Sequence, residues 1–206
     1  MNIGLIAGSY KPFTAGHLGL FEIASRENDV VKAYVSLKTR SRPGEMIVYE
    51  DDMREIWNNH ILPILPENVT VEFVDIPIKA VYDEIGHASE EMSEDVYKIY
   101  SDPEDLASRF SEGSLMRYAP NVTVVPRPIA RTETVDVSGT KMRRAIQDRD
   151  FEVFKSGMPK NIDVEEVWKI LSRRAGDIAP VKKSSRKKHE ESVLVDYVKL
   201  MIENSR

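Results

Sequence analysis

The hydrophobic positions along the chain form two kinds of segment. Short apolar runs, rich in β-branched and aromatic residues, predict strands at residues 2–8, 31–37, 69–76, 96–102 and 121–127. Apolar positions at helical spacing predict helices at residues 17–26, 48–61, 137–147, 151–158 and 163–174. The pattern therefore predicts a chain in which strands and helices alternate over most of its length.

Such alternation over the first 145 or so residues indicates an α/β fold with a doubly wound parallel sheet. In sheets of this kind, ligands bind beyond the carboxyl ends of the strands, near the point where the strand order reverses. Residues 82–95 are acidic and break the alternation. We expect them to form an excursion over the sheet rather than a separate domain.

The C-terminal part of the chain has a different composition. A basic stretch containing Pro and Ser covers residues 175–191, and residues 191–204 then present a broad apolar face. A helix with such a face must pack against something, either its own domain or, as the second choice, a dimer partner. We therefore predict a main domain over residues 1–158 and C-terminal helices with a basic linker over residues 159–206.

Composition limits the classes of function. The chain has 41% hydrophobic and 31% charged residues, as soluble globular proteins do. The net charge is −5, although the stretch from Lys169 to Lys188 holds eight basic residues against Asp177, so a generally basic nucleic-acid-binding domain is disfavoured. There is no cysteine for a disulfide, a thiolate zinc site or a nucleophile. The absence of a signal peptide and of long apolar runs favours a cytoplasmic protein without membrane partners.

The segment "GSYKPFTAGHLGLF", residues 8–21, follows the first predicted strand. Thr14 is placed to cap the next helix, which puts His17 in the first turn, where unpaired N–H groups and the helix dipole favour phosphate. Gly8, Ser9 and Gly16 keep this loop small enough for a polyphosphate to approach. A histidine that merely fills the helix turn is an equally good interpretation of this segment alone. Neither a Walker loop nor a Gly-x-Gly-x-x-Gly motif is present.

A second segment, "VDVSGTKMRRAI", lies some 120 residues further along the chain. Val135 and Val137 alternate as the end of a strand does, and Ser138 is placed to cap a helix that carries Thr140 and Arg143 in its first turns. Hydroxyl and guanidinium groups at a helix N-terminus suit a second set of phosphates, although a capped surface helix with a basic flank is a common feature. Two such sites, one after the first strand and one after the last, can converge on one crevice.

Together, the two segments resemble the signatures of the nucleotidyltransferase superfamily, the cytidylyltransferase-like proteins. Residues 8–21 resemble the pattern His-x-Gly-His or Thr-x-Gly-His, and "VSGTKMR" resembles Ser-(Ser/Thr)-Thr-x-x-Arg. The resemblance spans residues 2–158 and is closest in motif to NMN adenylyltransferases and phosphopantetheine adenylyltransferases. It implies a Rossmann-like doubly wound parallel sheet, here with a C-terminal helical extension.

The resemblance also implies roles for individual residues. Thr14 and His17 match positions that bind the nucleotide phosphates, and His17 would stabilise the pentavalent α-phosphorus. Ser138, Thr140 and Arg143 match positions that hold the β- and γ-phosphates and the departing pyrophosphate. The nucleotide-binding surface that the resemblance implies further includes Gly8, Ser9, Tyr10, Gly16 and Gly139.

Other assignments stay open at this point. Family members use a basic residue after the second strand, where this chain offers Lys38, Arg40 and Arg42; we favour Lys38, and the other two could form a solvated loop. Asp102 and Asp105 could contact ribose, base or metal, although Asp102 is also well placed to cap a helix. Gly139 stands where the family has Ser or Thr, which removes one hydroxyl contact.

We therefore expect an adenylyltransferase that joins AMP from ATP to a small phosphomonoester and releases pyrophosphate. NMN is the first choice of acceptor and 4′-phosphopantetheine the second. Mg²⁺ would be bound mainly through the triphosphate, because no acidic cluster predicts a metal site made by the protein. The alternatives are a CTP-dependent cytidylyltransferase acting on an alcohol or sugar phosphate, and a regulatory nucleotide-binding module without turnover. A homo-oligomer is compatible with the sequence.

Overall fold

The centre of the structure, a computed structural model that describes residues 1–130 and 133–181, is a five-stranded sheet with the strand order β3-β2-β1-β4-β5. Every pair of neighbouring strands is parallel. The strands are β1 (Asn2–Gly8), β2 (Val30–Val35), β3 (Val69–Phe73), β4 (Val96–Ser101) and β5 (Thr123–Pro128). The five strands predicted from the apolar runs are therefore confirmed, with ends that differ by a few residues.

Helices connect the strands and extend beyond the last one. They are α1 (Ala15–Glu27), α2 (Glu50–Ile56), α3 (Pro77–Glu90), α4 (Pro103–Arg109), α5 (Glu112–Tyr118), α6 (Gly139–Gln147), α7 (Phe151–Ser156) and α8 (Val164–Ser172). After α2 the chain continues through a wider π-helical turn, Trp57–Ile61, and a short 3₁₀ turn, Leu62–Ile64. All five helices predicted between residues 17 and 174 are present, and the structure adds α3 and α5.

The sheet is covered by helices on both faces, because its central strand carries apolar side chains on both sides. Ile3 and Leu5 of β1 pack with the buried residues of α3, α4 and α5. Ile6 belongs to a second core, which includes buried residues of α1, α2, α6 and α8. The doubly wound Rossmann-like α/β fold predicted from the sequence is thus confirmed.

The strand order reverses beside β1. From β1 the chain moves outward to β2 and β3, and it then returns through α3 to β4, on the other side of β1. At such a switch point the two connections leave the sheet in opposite directions, so a crevice opens between the carboxyl ends of the two strands. The loop from β1 to α1 and the start of α4 both lie at this crevice.

The prediction of an excursion at residues 82–95 is wrong. Most of this segment belongs to α3, the crossover helix from β3 to β4, and it preserves the alternation of strands and helices. Val81, Ile85 and Ala88 of α3 are buried in the core with Leu5. Their helical spacing was obscured by the acidic residues on the exposed face of the same helix.

The prediction of a strand end at Val135 and Val137 is also wrong. Both residues lie in the connection from β5 to α6, where the N–H of Val137 donates to the carbonyl oxygen of Val135 at 2.8 Å. A bond between residues two apart forms a tight turn, which is incompatible with a strand. Two alternating valines are too short a pattern to distinguish the two conformations.

The C-terminal region contributes to the core of the main sheet. Val167, Ile170 and Leu171 of α8 are buried in the same core as Ile6. Further on, Ile178 forms an antiparallel bridge with Met46. The predicted linker and apolar helix at residues 182–204 lie outside the described residues, and the division at residue 158 stays a prediction. In the described part of the chain, no helix is long and apolar enough to cross a membrane.

The packing of α3 leads to a first prediction. We expect Ile85→Ala to lower the free energy of unfolding by about 2 to 5 kcal/mol, because it leaves a cavity at a fully buried position. Met116→Ala in α5 is the control; its side chain is 66% exposed, so we expect a change within about 0.5 kcal/mol. Urea denaturation of both variants measures the difference. Equal stabilities would contradict the packing of α3 against the sheet.

Candidate active site

A cavity of about 390 Å³ lies at the crevice between β1 and β4. Its wall comes from the loop between β1 and α1, the ends of β4 and β5, the helix α4 and the segment before α6. Nine of the candidate site residues named from the sequence line it: Gly8, Ser9, Tyr10, Gly16, His17, Asp102, Asp105, Ser138 and Gly139. The two segments that carry the motifs therefore share one cavity, as expected from the topology.

Thr14 and His17 form a reciprocal cap at the N-terminus of α1. The Thr14 hydroxyl accepts a hydrogen bond from the backbone N–H of His17 at 3.4 Å, and His17 Nδ1 accepts one from the backbone N–H of Thr14 at 3.0 Å. Since Nδ1 is an acceptor, the neutral imidazole carries its hydrogen on Nε2. Thr14 is fully buried and is not part of the cavity wall, whereas His17 is.

The surroundings of His17 keep its imidazole neutral. Burial lowers the pKa of His17 to about 4, because the charged form loses hydration. The imidazole packs edge-on against the ring of Tyr10, with centroids 4.8 Å apart, and lies near Phe13. At neutral pH, His17 therefore presents an uncharged N–H donor at the cavity.

Tyr10 explains the glycine that ends β1. A Cβ atom at Gly8 would lie 2.5 Å from Cζ of Tyr10, so a larger residue there would require the Tyr10 ring to move. Tyr10 itself has a φ of 45°, a left-handed conformation that is unusual for a bulky residue. Its ring also contacts Phe21 and Trp57, which hold it in the cavity wall. The structure thus gives Gly8 a role in packing, and its predicted role in ligand access stays a prediction.

Gly16 has a comparable role in joining the two halves of the site. A Cβ atom at this position would lie 2.5 Å from the carbonyl oxygen of Val135. One helical turn later, a Cβ at Gly19 would lie 3.1 Å from Cγ2 of Thr134. The glycines of α1 therefore allow the segment before α6 to lie directly on the first helix.

The second half of the site begins at the N-terminus of α6. The Ser138 hydroxyl accepts a hydrogen bond from the backbone N–H of Lys141 at 3.1 Å, which confirms the predicted cap. A Cβ atom at Gly139 would lie only 3.2 Å from both the carbonyl oxygen of Lys11 and Nη1 of Arg143. The glycine that departs from the family pattern thus accommodates the close approach of these groups.

Arg143 is buried behind this helix end rather than in the cavity wall. Its guanidinium donates to Glu45 Oε2 from Nε and Nη2, at 3.1 and 3.0 Å, and to the Thr140 hydroxyl at 2.8 Å. Nη1 donates to the carbonyl oxygen of Lys11 at 2.8 Å. Thr140 and Arg143 are therefore brought together, next to Gly139.

The three basic residues after β2 have different positions. Lys38 forms an exposed ion pair with Asp75, at 3.0 Å, and Arg42 is exposed. Arg40 is partly buried, and its Nη1 lies 2.9 Å from Glu45 Oε2. The structure thus brings Arg40 next to Arg143 through a shared carboxylate, and places Lys38 outside the cavity wall. The role that the sequence assigned to Lys38 stays a prediction.

Asp102 has the capping role that the sequence left open. Its Oδ1 accepts a hydrogen bond from the backbone N–H of Asp105 at 2.9 Å, at the start of α4. Both carboxylates also line the cavity, together with Arg109, which forms an ion pair with Asp105 at 3.1 Å. Capping and ligand contact are compatible roles for Asp102.

Several features of the site have no counterpart in the sequence analysis. The cavity wall also includes apolar and aromatic residues from α1, the start of α3, β4 and the position after β5: Leu20, Pro77, Ile78, Tyr100 and Ile129. Lys11 is buried, and burial lowers its pKa to about 8. The available signal for Pro77, Ile78 and Ile129 was their position just after predicted strands, a position that Leu20 and Tyr100 do not share. Within residues 1–130 and 133–181, no group of three or more His, Asp or Glu side chains could hold a metal ion.

Comparisons with known proteins give similarity in structure only. No protein-family model matches the sequence, and no curated protein is similar to it. The chain resembles a bifunctional NMN adenylyltransferase/ADP-ribose pyrophosphatase from Francisella tularensis, with a TM-score of 0.56 and 14% identity, over 98% of this chain and 56% of that one. It thus spans about half the length of the Francisella protein.

A second similar structure is a protein from Vibrio parahaemolyticus assigned as a nicotinate-nucleotide adenylyltransferase. Its TM-score is 0.53 at 16% identity, over 82% of this chain and 97% of that one. At such low identities, the similarity concerns the fold. The Rossmann-like fold predicted from the sequence is confirmed, and the chain shares this fold with both structures.

Proposed function

We propose that this protein is an adenylyltransferase, which transfers AMP from ATP to a small phosphomonoester and releases pyrophosphate. The observation that carries the proposal is that the N-terminal ends of α1 and α6 share one cavity at the switch point. Each end offers backbone N–H groups and a positive dipole to phosphate. His17 adds a neutral N–H donor at the first of these ends.

In this proposal, the chain positions phosphates and stabilises charge. An anionic oxygen of the acceptor phosphate attacks the α-phosphorus, and the bond from that phosphorus to the bridging oxygen of pyrophosphate breaks. No general base is needed, because the attacking oxygen is already deprotonated near neutral pH. The Nε2–H group of His17 donates to a non-bridging oxygen as charge develops in the transition state. Ser138 and the start of α6 bind the leaving pyrophosphate.

Mg²⁺ enters this proposal with the substrate, as the ion of MgATP. Asp102 and Asp105 are the carboxylates in the cavity wall, and two carboxylates suit an ion that keeps most of its bonds to phosphate and water. The Francisella neighbour was crystallised with AMP and a manganese ion. We therefore expect a divalent cation to be required for turnover.

NMN is our first choice of acceptor. The proposal is supported by the neighbouring folds, which are named for adenylyl transfer to nicotinamide or nicotinate mononucleotide. The aromatic and apolar part of the cavity wall, which includes Tyr10, Tyr100 and Ile78, offers flat surfaces to a base or a pyridine ring. An acceptor without an aromatic ring, such as 4′-phosphopantetheine, would leave part of this surface unused.

Pyrophosphate release tests the proposal directly. ATP and CTP are each combined with NMN, nicotinate mononucleotide, 4′-phosphopantetheine and glycerol phosphate, and pyrophosphate is measured with and without Mg²⁺. We expect release with ATP and a pyridine mononucleotide. Release with CTP and glycerol phosphate would favour a cytidylyltransferase. If ATP binds and no acceptor supports release, the protein is a nucleotide-binding module without turnover.

The role of His17 gives a second prediction. We expect His17→Ala to lower kcat by at least about 100-fold, because one preorganised donor to the transition state contributes a factor of this size. His87→Ala is the matched control, since that side chain is 72% exposed on α3 and we expect no change in kcat. Thermal unfolding checks that both variants are folded. A folded His17→Ala variant with normal turnover would remove His17 from the mechanism.

The ionisation of His17 gives a third prediction. Its pKa of about 4 in the folded protein lies below the unfolded value of about 6.5, so only the unfolded state takes up a proton between these values. The contribution of the neutral His17 ring to the free energy of unfolding is therefore complete above pH 6.5. Roughly 3 kcal/mol of the free energy of unfolding is lost as the pH falls to 4. We expect His17→Ala to reduce this acid dependence.

NMR titration of the imidazole protons measures the same pKa. We expect a midpoint near 4 for His17 in the free protein, and a higher midpoint with bound pyrophosphate, because an adjacent anion favours the charged imidazole. A midpoint near 6.5 in the free protein would contradict the burial of the neutral ring.

A further inference from the structure

Two guanidinium groups from distant parts of the chain share one carboxylate beside the candidate active site. Glu45 Oε2 lies 2.9 Å from Arg40 Nη1, and it accepts hydrogen bonds from Nε and Nη2 of Arg143. The Arg143 side chain is 6% exposed and that of Arg40 13% exposed. We call these three residues the Glu45 cluster.

The Glu45 cluster carries one positive charge in excess. Glu45 offsets only one of the two guanidinium groups. Burial and the neighbouring charge of Arg40 both lower the pKa of Arg143, so its charge is incompletely compensated. Buried cations need anionic partners, and the two guanidinium groups without Glu45 carry a charge of +2, which a dianion would balance.

The cluster adjoins the cavity at Gly139. Arg143 Nη1 would lie 3.2 Å from a Cβ atom at that glycine, and Gly139 is part of the cavity wall. However, four hydrogen bonds already engage the Arg143 guanidinium, two of them to Glu45. A phosphate could therefore form a bidentate contact with Arg143 only by taking the place of the carboxylate.

The Glu45 carboxylate is positioned so that it can leave the two guanidinium groups. Its side chain is 32% exposed, the most accessible of the three. The backbone of Glu45 is held independently of its carboxylate. Its N–H donates a hydrogen bond to the carbonyl oxygen of Arg42, and its carbonyl oxygen accepts one from the backbone N–H of Ala179, both at 3.0 Å. The side chain can thus rotate toward solvent while the loop stays in place.

We propose that Glu45 occupies, in the free protein, the position on Arg40 and Arg143 that a terminal phosphate of the nucleotide or pyrophosphate takes. Carboxylate and phosphate oxygens both suit the fork of a guanidinium, so binding exchanges one anion for the other. That the ligand is a nucleotide polyphosphate rests on the proposed function. Glu45 lowers the affinity for phosphates, and it returns to the arginines as pyrophosphate leaves.

Pyrophosphate binding to variants tests this exchange. Isothermal titration calorimetry at one fixed salt concentration compares the full-length wild type, Glu45→Gln and Glu55→Gln. The control removes the same charge from an exposed carboxylate that pairs with Arg173 at 3.1 Å. We expect Glu45→Gln to bind pyrophosphate about tenfold more tightly than the wild type, a factor typical of one contact to a charged group. Glu55→Gln should bind as the wild type does.

The opposite results overturn the proposal. Unchanged or weaker binding by Glu45→Gln, with normal binding by the wild type, would make Glu45 a structural partner of Arg143 and leave the proposed adenylyl transfer untouched. If pyrophosphate binds to none of the three proteins, the exchange and the pyrophosphate site of the proposed function both fail.

A measurement on the wild type covers the case in which Glu45→Gln does not fold. The Nε–H resonance of Arg143, assigned by its loss in Arg143→Lys, reports the hydrogen bond to Glu45. We expect pyrophosphate to shift this resonance, whereas chloride at equal ionic strength should not. A resonance that stays unchanged at saturating pyrophosphate would show that the carboxylate remains in place.

Discussion

The close contact between Gly16 and the carbonyl oxygen of Val135 is the constraint on which the candidate site depends. It allows the segment before α6 to lie on α1, and a Cβ atom at Gly16 would meet that oxygen at 2.5 Å. Without this close contact, the N-termini of α1 and α6 would lie apart and could not bind one common anion. The parallel sheet brings the two strand ends to one edge, and the missing side chain at Gly16 lets their helices share a single cavity.

The capping arrangement at α1 shows why structural and chemical interpretations of His17 are compatible. The same imidazole completes the cap of Thr14 through Nδ1 and presents Nε2–H at the cavity. Because Nδ1 is engaged by the backbone, the ring has one neutral tautomer and one orientation. The cap therefore preorganises the donor, and preorganisation is what makes such a donor effective in a transition state.

The sequence predicted features set by local patterns and missed those set by distant partners. The strands, the caps at Thr14 and Ser138 and the shared crevice follow from periodicity and from the rules for parallel sheets. The crossover helix α3 was missed because its buried face is diluted by acidic residues on its exposed face. The pairing of Glu45 with Arg143 spans 98 residues, and no short motif could have indicated it.

The motif and its surroundings place opposite demands on Arg143. A phosphate ligand needs a charged group that faces the substrate, whereas a residue that is 5% exposed in a folded chain needs a partner at all times. A carboxylate that leaves when phosphate arrives satisfies both demands, since the arginine is paired in either state. In the proposed exchange, pyrophosphate would be held less tightly, because its binding would have to displace Glu45. For an enzyme that must release pyrophosphate in every cycle, a weaker product complex favours turnover.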